Sequence, residues 1–141
     1  MALKVTRREQ DGILILELKG RLAFGEEDML LNDEIQHALV LRRDHLVIDL
    51  DGVAKIDSTS LGTLLYARGE LRRAGGGLAL SGLNRAQMQA FVIAKLETVF
   101  DVYGSQLDAI NSFFPERHVA HYDLLAVVNS MRNDHAPQMR G

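Results

Sequence analysis

Short runs of apolar residues alternate along this chain with longer stretches in which apolar residues return every three or four positions. The short runs predict β-strands, and the longer stretches predict amphipathic helices. The predicted strands are residues 3–7, 13–18, 45–50, 78–80 and 99–102. Asp11-Gly12 lies between the first two and predicts a tight hairpin, because glycine accepts the positive φ that such a turn needs. We expect residues 51–57 to form a loop.

Most of the predicted helices have a recognisable start or end. The acidic residues 26–28 suit a helix N-terminus, where the macrodipole is positive. Two pairs have capping-box spacing, Asn84 with Gln87 and Ser105 with Asp108. The triglycine at residues 75–77 predicts a helix end, because glycine forms a left-handed cap without a Cβ clash.

The helical pattern also predicts which residues face the core. These are Leu31, Ile35 and Ala38 on the first helix; Leu61, Leu64, Leu65 and Leu71 on the second; Met88, Phe91 and Val92 on the third; Leu107, Ile110 and Phe114 on the fourth; and Leu124, Leu125, Val128 and Met131 on a last helix at residues 122–131.

Strands that alternate with helices indicate an α/β fold, in which helical crossovers join parallel strands. The opening hairpin adds an antiparallel pair, so we predict a mixed β-sheet with helices packed mainly on one face. We expect a main domain at residues 1–114. A C-terminal extension at residues 115–141 is expected to end in a frayed polar tail.

Composition excludes several classes of function. The chain has 141 residues, of which 47% are hydrophobic, enough for one core. Its net charge of −3, with both signs mixed, argues against a nucleic-acid partner. It has no cysteine, which excludes disulfides and thiolate chemistry. No apolar run approaches the ~20 residues of a membrane span. We therefore expect a cytoplasmic protein with no cofactor.

The segment with the most distinctive chemistry is the start of the second predicted helix. Ser58 begins this helix directly after Asp57. Free backbone N–H groups and a positive dipole at a helix start would accommodate a phosphate on Ser58, although Asp57 would repel the added charge. In a simpler alternative, Asp57 or Ser58 is an ordinary N-cap, and the residues alone favour that alternative.

Four segments, taken in order, carry a family resemblance. Asp49-Leu50 ends a predicted strand, and Asp57-Ser58-Thr59-Ser60-Leu61-Gly62 opens the next helix. A glycine break with a strand follows at residues 75–80, and a further family-like stretch lies at residues 96–103. Together these segments resemble the STAS domain, the family of anti-sigma-factor antagonists, over residues 5–114.

The resemblance implies a specific role for the helix start. Ser58 would be the phosphoacceptor, with Thr59 as a second candidate, and Asp57 would position the hydroxyl. The partner-binding residues implied are Asp57, Ser58, Thr59, Ser60, Leu61 and Gly62.

The resemblance also implies the partners. A serine-kinase anti-sigma factor with a histidine-kinase-like ATP fold would phosphorylate the domain and bind its unphosphorylated form, which releases a sigma factor. A metal-dependent serine phosphatase would reset the switch. The domain itself would have no catalytic activity.

Two residues depart from the family pattern. Ser60 stands where the family usually has glycine, and we expect it to affect how closely a partner approaches the helix start. Ala23 stands where many antagonists have an aspartate, near the phosphorylation site.

Three alternatives compete with the switch. The chain could be a STAS subunit of a larger lipid-transport or stress-signalling assembly, with no kinase. It could be a small serine-dependent hydrolase that uses Ser58, Asp49 and a histidine, but Asp-Ser-Thr-Ser is not the nucleophile-elbow motif. His118, His121 and Asp123 could hold a metal, but a closed site needs more ligands, so we expect none.

Overall fold

The computed structural model describes residues 2–22, 26–120 and 123–135. Five strands and five helices lie within these ranges. They are β1 (Lys4–Gln10), β2 (Ile13–Leu22), α1 (Glu26–Val40), β3 (His45–Ile56), α2 (Ser58–Arg73), β4 (Gly77–Ser81), α3 (Arg85–Ile93), β5 (Asp101–Tyr103), α4 (Gln106–Asn111) and α5 (Leu124–His135).

The strands form one mixed sheet in the order β1-β2-β3-β4-β5. β1 and β2 are antiparallel, and the other neighbouring strands are parallel. The turn between β1 and β2 has positive φ at both Asp11 (55°) and Gly12 (80°), the combination of a type I′ hairpin. The predicted mixed sheet and opening hairpin are confirmed.

Strand β3 is longer than predicted, and the expected loop at residues 51–57 is wrong. β3 continues to Ile56, because its second half pairs with the end of β2, from Lys19↔Gly52 to Leu22↔Ile56. The pairing shifts register twice, which marks a bulge. A Cβ at Gly52 would lie 2.8 Å from the Leu18 carbonyl oxygen, so glycine is needed for the strands to pair here. Only Asp57 then separates β3 from α2.

One face of the sheet, called the inner face below, carries the main core. Helices α1, α2, α3 and α5 contribute to it, which confirms that helices pack mainly on one face. Most of the predicted core positions are buried, but Leu65 is 40% exposed. The prediction that Leu65 faces the core is wrong, because the side of α2 that faces the core is already occupied by Leu61, Leu64 and Ala67.

The other face, called the outer face, is covered at one end by the short helix α4. Ala109 and Ile110 of α4 pack over strand residues that include Ile15 and Val47. Leu107 was predicted to face the core but is 56% exposed, because a helix of six residues covers the sheet with one side only. The last strand lies at Asp101–Tyr103 instead of residues 99–102.

The predicted caps form at the end of α2 and at the start of α3. Before α4, the Asp108 amide donates to the Ser105 hydroxyl at 3.1 Å, which is the first half of the predicted capping box. Gly75 has a φ of 91° and donates to the carbonyl of Arg72, while Gly76 donates to that of Leu71. These two bonds form a Schellman cap after α2. Asn84 and Gln87 form a complete capping box before α3.

Helix α5 packs on its own domain. Leu124 and Val128 are buried in the inner-face core, and α5 contacts α3. Leu125 is 40% exposed, against the prediction. Tyr122 and the Met131 side chain lie outside what the structure describes. No helix among the described residues combines the length and apolar content needed to cross a bilayer. The division of the chain at residue 114 stays a prediction.

Candidate partner-binding site at the start of helix α2

Asp57 forms the junction between β3 and α2. Its backbone is extended, with φ −113° and ψ 178°, and its carboxylate oxygen Oδ1 accepts a hydrogen bond from the Ser60 amide at 2.9 Å. The Leu61 amide donates to the Asp57 carbonyl at 3.0 Å, which is the first turn of the helix. Of the two candidate N-caps, the structure therefore selects Asp57.

Ser58 is the first residue of the helix and is exposed. Because the Asp57 carboxylate supplies the cap, the Ser58 hydroxyl is not needed to complete the helix start. Thr59 is exposed as well, and its carbonyl accepts a hydrogen bond from the Thr63 hydroxyl at 3.4 Å. Both predicted phosphoacceptors thus lie at the surface of the first helical turn.

Ser60 and Leu61 lie below this surface. Ser60 has no exposed area and Leu61 is 6% exposed. The prediction that Ser60 affects the approach of a partner is wrong for this structure, because its side chain points into the protein. The same burial removes the Ser60 and Leu61 side chains from the predicted contact surface. Gly62 is exposed, with open space around it.

A groove between α1 and α2 continues from the exposed part of the helix start. It has a volume of about 600 Å³. Its walls are formed by Met29, Asn32, Asp33, Gln36, Thr59, Gly62, Thr63 and Tyr66. Met29 is 66% exposed and Tyr66 54% exposed, so the groove offers two large apolar side chains to solvent. This surface was not predicted from the sequence. The one signal for it is that Tyr66 lies outside the apolar stripe of α2.

The electrostatic setting of the helix start is simple. No acidic residue occupies the first turn of α2, so Asp57 is the carboxylate that directly adjoins Ser58 in sequence. The free N–H groups of the first turn and the helix dipole favour negative charge at this end. The positive helix end would stabilise a phosphate on Ser58, whereas the negative Asp57 carboxylate would repel it.

The residues of the alternative catalytic triad are not brought together. Residues 50–56 of β3 extend between Asp49 and Ser58, which at about 3.3 Å per residue separates them by roughly 20 Å. Asp49 instead accepts hydrogen bonds from the Asp51 amide and the Gln106 side chain. His45 pairs with Asp44 at the far end of β3.

The other predicted site residues are less informative. Within residues 2–22, 26–120 and 123–135, no group of three or more His, Asp or Glu side chains is placed to hold a metal. His118 is exposed, and His121 lies outside the described residues. Ala23, the second departure from the family pattern, lies outside them as well.

Comparison with known proteins places this geometry in a family. The family model for the STAS domain matches residues 4–109. A curated protein from Paenibacillus polymyxa, named anti-sigma F factor antagonist, is 24% identical over 111 residues, which cover 78% of this chain and 94% of the relative.

Two solved structures have a similar fold. A putative anti-sigma factor antagonist from Thermotoga maritima superimposes with a TM-score of 0.72 at 21% identity, covering 77% of this chain and 93% of its own. The Bacillus cell fate determinant SpoIIAA in its phosphorylated form superimposes with a TM-score of 0.61 at 16% identity, covering 79% and 98%. With the family model spanning most of its length, this chain belongs to the STAS domain family.

Proposed function

We propose that this chain is a phosphorylation-gated protein-binding switch of the anti-sigma-factor-antagonist type, with Ser58 as the phosphoacceptor. The observation that carries the proposal is the exposed Ser58 hydroxyl at the first position of α2, next to a cap that Asp57 completes without it. A kinase can reach this hydroxyl without unfolding the helix. Thr59, exposed one position later, is the second candidate.

The charge of a phosphate acts at the surface in this proposal. Phosphorylation adds roughly −1.5 to −2 charge and three acceptor oxygens. The free N–H groups of the first turn can accept part of that charge, so the fold need not change. A partner that packs an acidic or apolar patch over Ser58 would meet repulsion and a desolvation cost, and its binding would weaken.

The contact surface in this proposal consists of the exposed residues of the helix start and the adjoining groove. Ser58, Thr59 and Gly62 lie at one end of it, and Met29 and Tyr66 supply apolar contacts farther along. Large apolar side chains that are exposed in a groove beside small residues are common at protein interfaces. Asp57 supports the surface as the N-cap, while Ser60 and Leu61 support it from the core.

The proposed partners are those that the family resemblance implies. A serine-kinase anti-sigma factor with a histidine-kinase-like ATP fold would bind the unphosphorylated chain and phosphorylate it, and a metal-dependent serine phosphatase would restore it. The curated relative's name supports an anti-sigma factor as a partner, and the phosphorylated form of SpoIIAA supports control by phosphorylation. The chain would act by binding alone, with no catalytic step and no cofactor of its own.

Phosphosite mapping tests the proposal. The chain is incubated with its cognate kinase and ATP, and modified peptides are identified by mass spectrometry. We expect phosphate on Ser58, loss of modification in Ser58→Ala, and retained modification in the matched variant Thr59→Ala. Absence of phosphate from both positions would contradict the proposal and favour the kinase-free assembly subunit. Acyl-enzyme formation with an activated ester, lost in Ser58→Ala, would favour the hydrolase instead.

A further inference from the structure

The two walls of the groove between α1 and α2 have the same helical spacing. Strands β2 and β3 are parallel, and each is followed by a helix that returns along the sheet, so α1 and α2 run side by side in the same direction. Each wall uses positions i, i+3, i+4 and i+7 of its helix, which are Met29, Asn32, Asp33 and Gln36 on α1 and Thr59, Gly62, Thr63 and Tyr66 on α2. Each wall is therefore one continuous stripe of about two turns, and the groove runs for about 10 Å along the helices.

These walls favour a helical ligand over an extended one. Beyond the first turn of each helix, the backbone N–H and C=O groups of the walls are bonded within the helices. An extended segment in the groove would therefore lose water from its own backbone groups without gaining partners. A helix satisfies its backbone internally, and its side chains can pack between two neighbouring stripes as those of a third helix do in a bundle.

The side chains of the groove also indicate what such a helix carries. Met29 is the first residue of the α1 stripe and Tyr66 the last residue of the α2 stripe, so the two large apolar side chains stand towards opposite ends. Asp33 lies between them and is exposed. Of the described wall residues it alone is charged, and it has no ion-pair partner in the part of the chain that the structure describes. A cationic side chain on the ligand would complement it.

We propose that the groove binds one amphipathic helix of the partner kinase, which carries two apolar side chains about two turns apart and a lysine or arginine between them. The apolar side chains contact Met29 and Tyr66, and the basic side chain pairs with Asp33. This inference rests on the proposed function and adds the kind of segment that the kinase presents. Thr59 belongs to the wall and adjoins Ser58, so a phosphate on Ser58 would lie at one end of the bound helix.

Photo-cross-linking tests the shape of the ligand. The photoreactive amino acid p-benzoylphenylalanine replaces Met29 or Tyr66 in the full chain, and the irradiated complex with the cognate kinase is mapped by mass spectrometry. We expect both positions to react with one helix of the kinase, at sites about seven residues apart, since that many residues span the groove. The same replacement at Leu107, which is 56% exposed on α4, should not react with that helix. Cross-links to a loop or an extended segment, or between two copies of this chain, would overturn the proposal.

Charge reversal tests the basic contact. Asp33→Lys should weaken kinase binding by about tenfold at low salt, because a repulsion replaces an exposed attraction. Most of this loss should disappear near 1 M salt, where the Debye length is about 3 Å. Glu116→Lys is the matched control, since it makes the same charge change at an exposed residue beyond α4 and should alter the affinity by less than about twofold. Equal losses in the two variants would overturn the pairing with Asp33.

Phosphosite mapping on the same samples separates this inference from the proposed function. Phosphate on Ser58 together with cross-links to a loop, or with equal losses in the two charge variants, would overturn the helix in the groove and leave the switch in place. Absence of both kinase binding and phosphate on Ser58 would overturn the proposed function, and this inference with it.

Discussion

The hydroxyl of Ser60 is fully buried and has no hydrogen-bond partner among the described residues. An unsatisfied buried hydroxyl costs about 1–3 kcal/mol. Ser60→Ala keeps the Cβ, removes the hydroxyl and improves helix propensity. We expect this variant to raise the free energy of unfolding by about 1 kcal/mol, measured by urea denaturation. A loss of stability would show that the hydroxyl has a partner, such as a bound water.

Ser60→Gly is a useful companion to that variant. It also removes the hydroxyl, but glycine costs up to about 1 kcal/mol in a helix, so we expect little net change in stability. Because Ser60 is buried, neither variant alters the exposed surface of the helix start. Affinity for the kinase should therefore stay within about twofold of the wild type, close to the resolution of such comparisons. A large change in affinity would mean that the helix start rearranges on binding.

At the scale of single residues, the sequence predicted caps and turns well. The hairpin at Asp11-Gly12 and the capping box of Asn84 and Gln87 depend on local chemistry, which a short stretch of sequence contains. Burial of Ser60 was not predictable, because a polar side chain at a helix start is usually solvated and the neighbours that cover it come from elsewhere in the chain.

The larger differences between the predictions and the structure concern whole elements. Residues 51–56 looked like a loop because Asp51, Gly52 and Lys55 are polar or flexible. They form a strand because one face of the sheet is open to solvent there, so its outward residues need not be apolar. Leu65 and Leu107 were placed in the core because helical periodicity defines a stripe but not its width, which depends on the packed neighbours.

Helix α5 offers a direct test of its packing. Leu124 is 3% exposed within the main core, whereas the adjacent Leu125 is 40% exposed. Leu124→Ala should lower the free energy of unfolding by about 2–5 kcal/mol, the usual range for a buried leucine. Leu125→Ala, the control, should cost well under half as much. Equal effects in thermal or urea denaturation would show that α5 does not pack as described.

Alanine variants at two glycines of helix α2 can distinguish an effect on stability from an effect on binding. Apart from the backbone of the helix itself, no neighbouring atom lies within 4 Å of a Cβ added at Gly62 or Gly69. Alanine at either position should therefore raise stability by up to about 1 kcal/mol through helix propensity. Gly62 lines the groove beside the helix start, and Gly69 does not.

Binding should distinguish those two variants. Gly62→Ala should weaken the contact with the kinase, because a methyl group enters the proposed interface, while Gly69→Ala should leave affinity unchanged. Calorimetric titration of each variant with the kinase measures the difference. Equal affinities for both would move the interface away from the groove between α1 and α2.

For the molecule as a whole, the core of the sheet and helices holds α2 through its buried face. The phosphate proposed on Ser58 would therefore change the charge of an exposed turn without a need for the core to move. The mixed sheet was predictable because alternating strands and helices leave few possible topologies. The groove between α1 and α2 was not predictable, because it joins residues from two elements that are separated in sequence.

The most direct measurement is the affinity of the chain for its cognate kinase, by isothermal titration calorimetry, with and without phosphate on Ser58. We predict that phosphorylation weakens binding by roughly a hundredfold, equivalent to about 3 kcal/mol. Ser58→Ala should fold, bind the kinase like the unphosphorylated chain and resist phosphorylation. Equal affinities for the two forms, or phosphate found only at Thr59 or elsewhere, would contradict the Ser58 switch and leave Asp57 and Ser58 as an ordinary helix start.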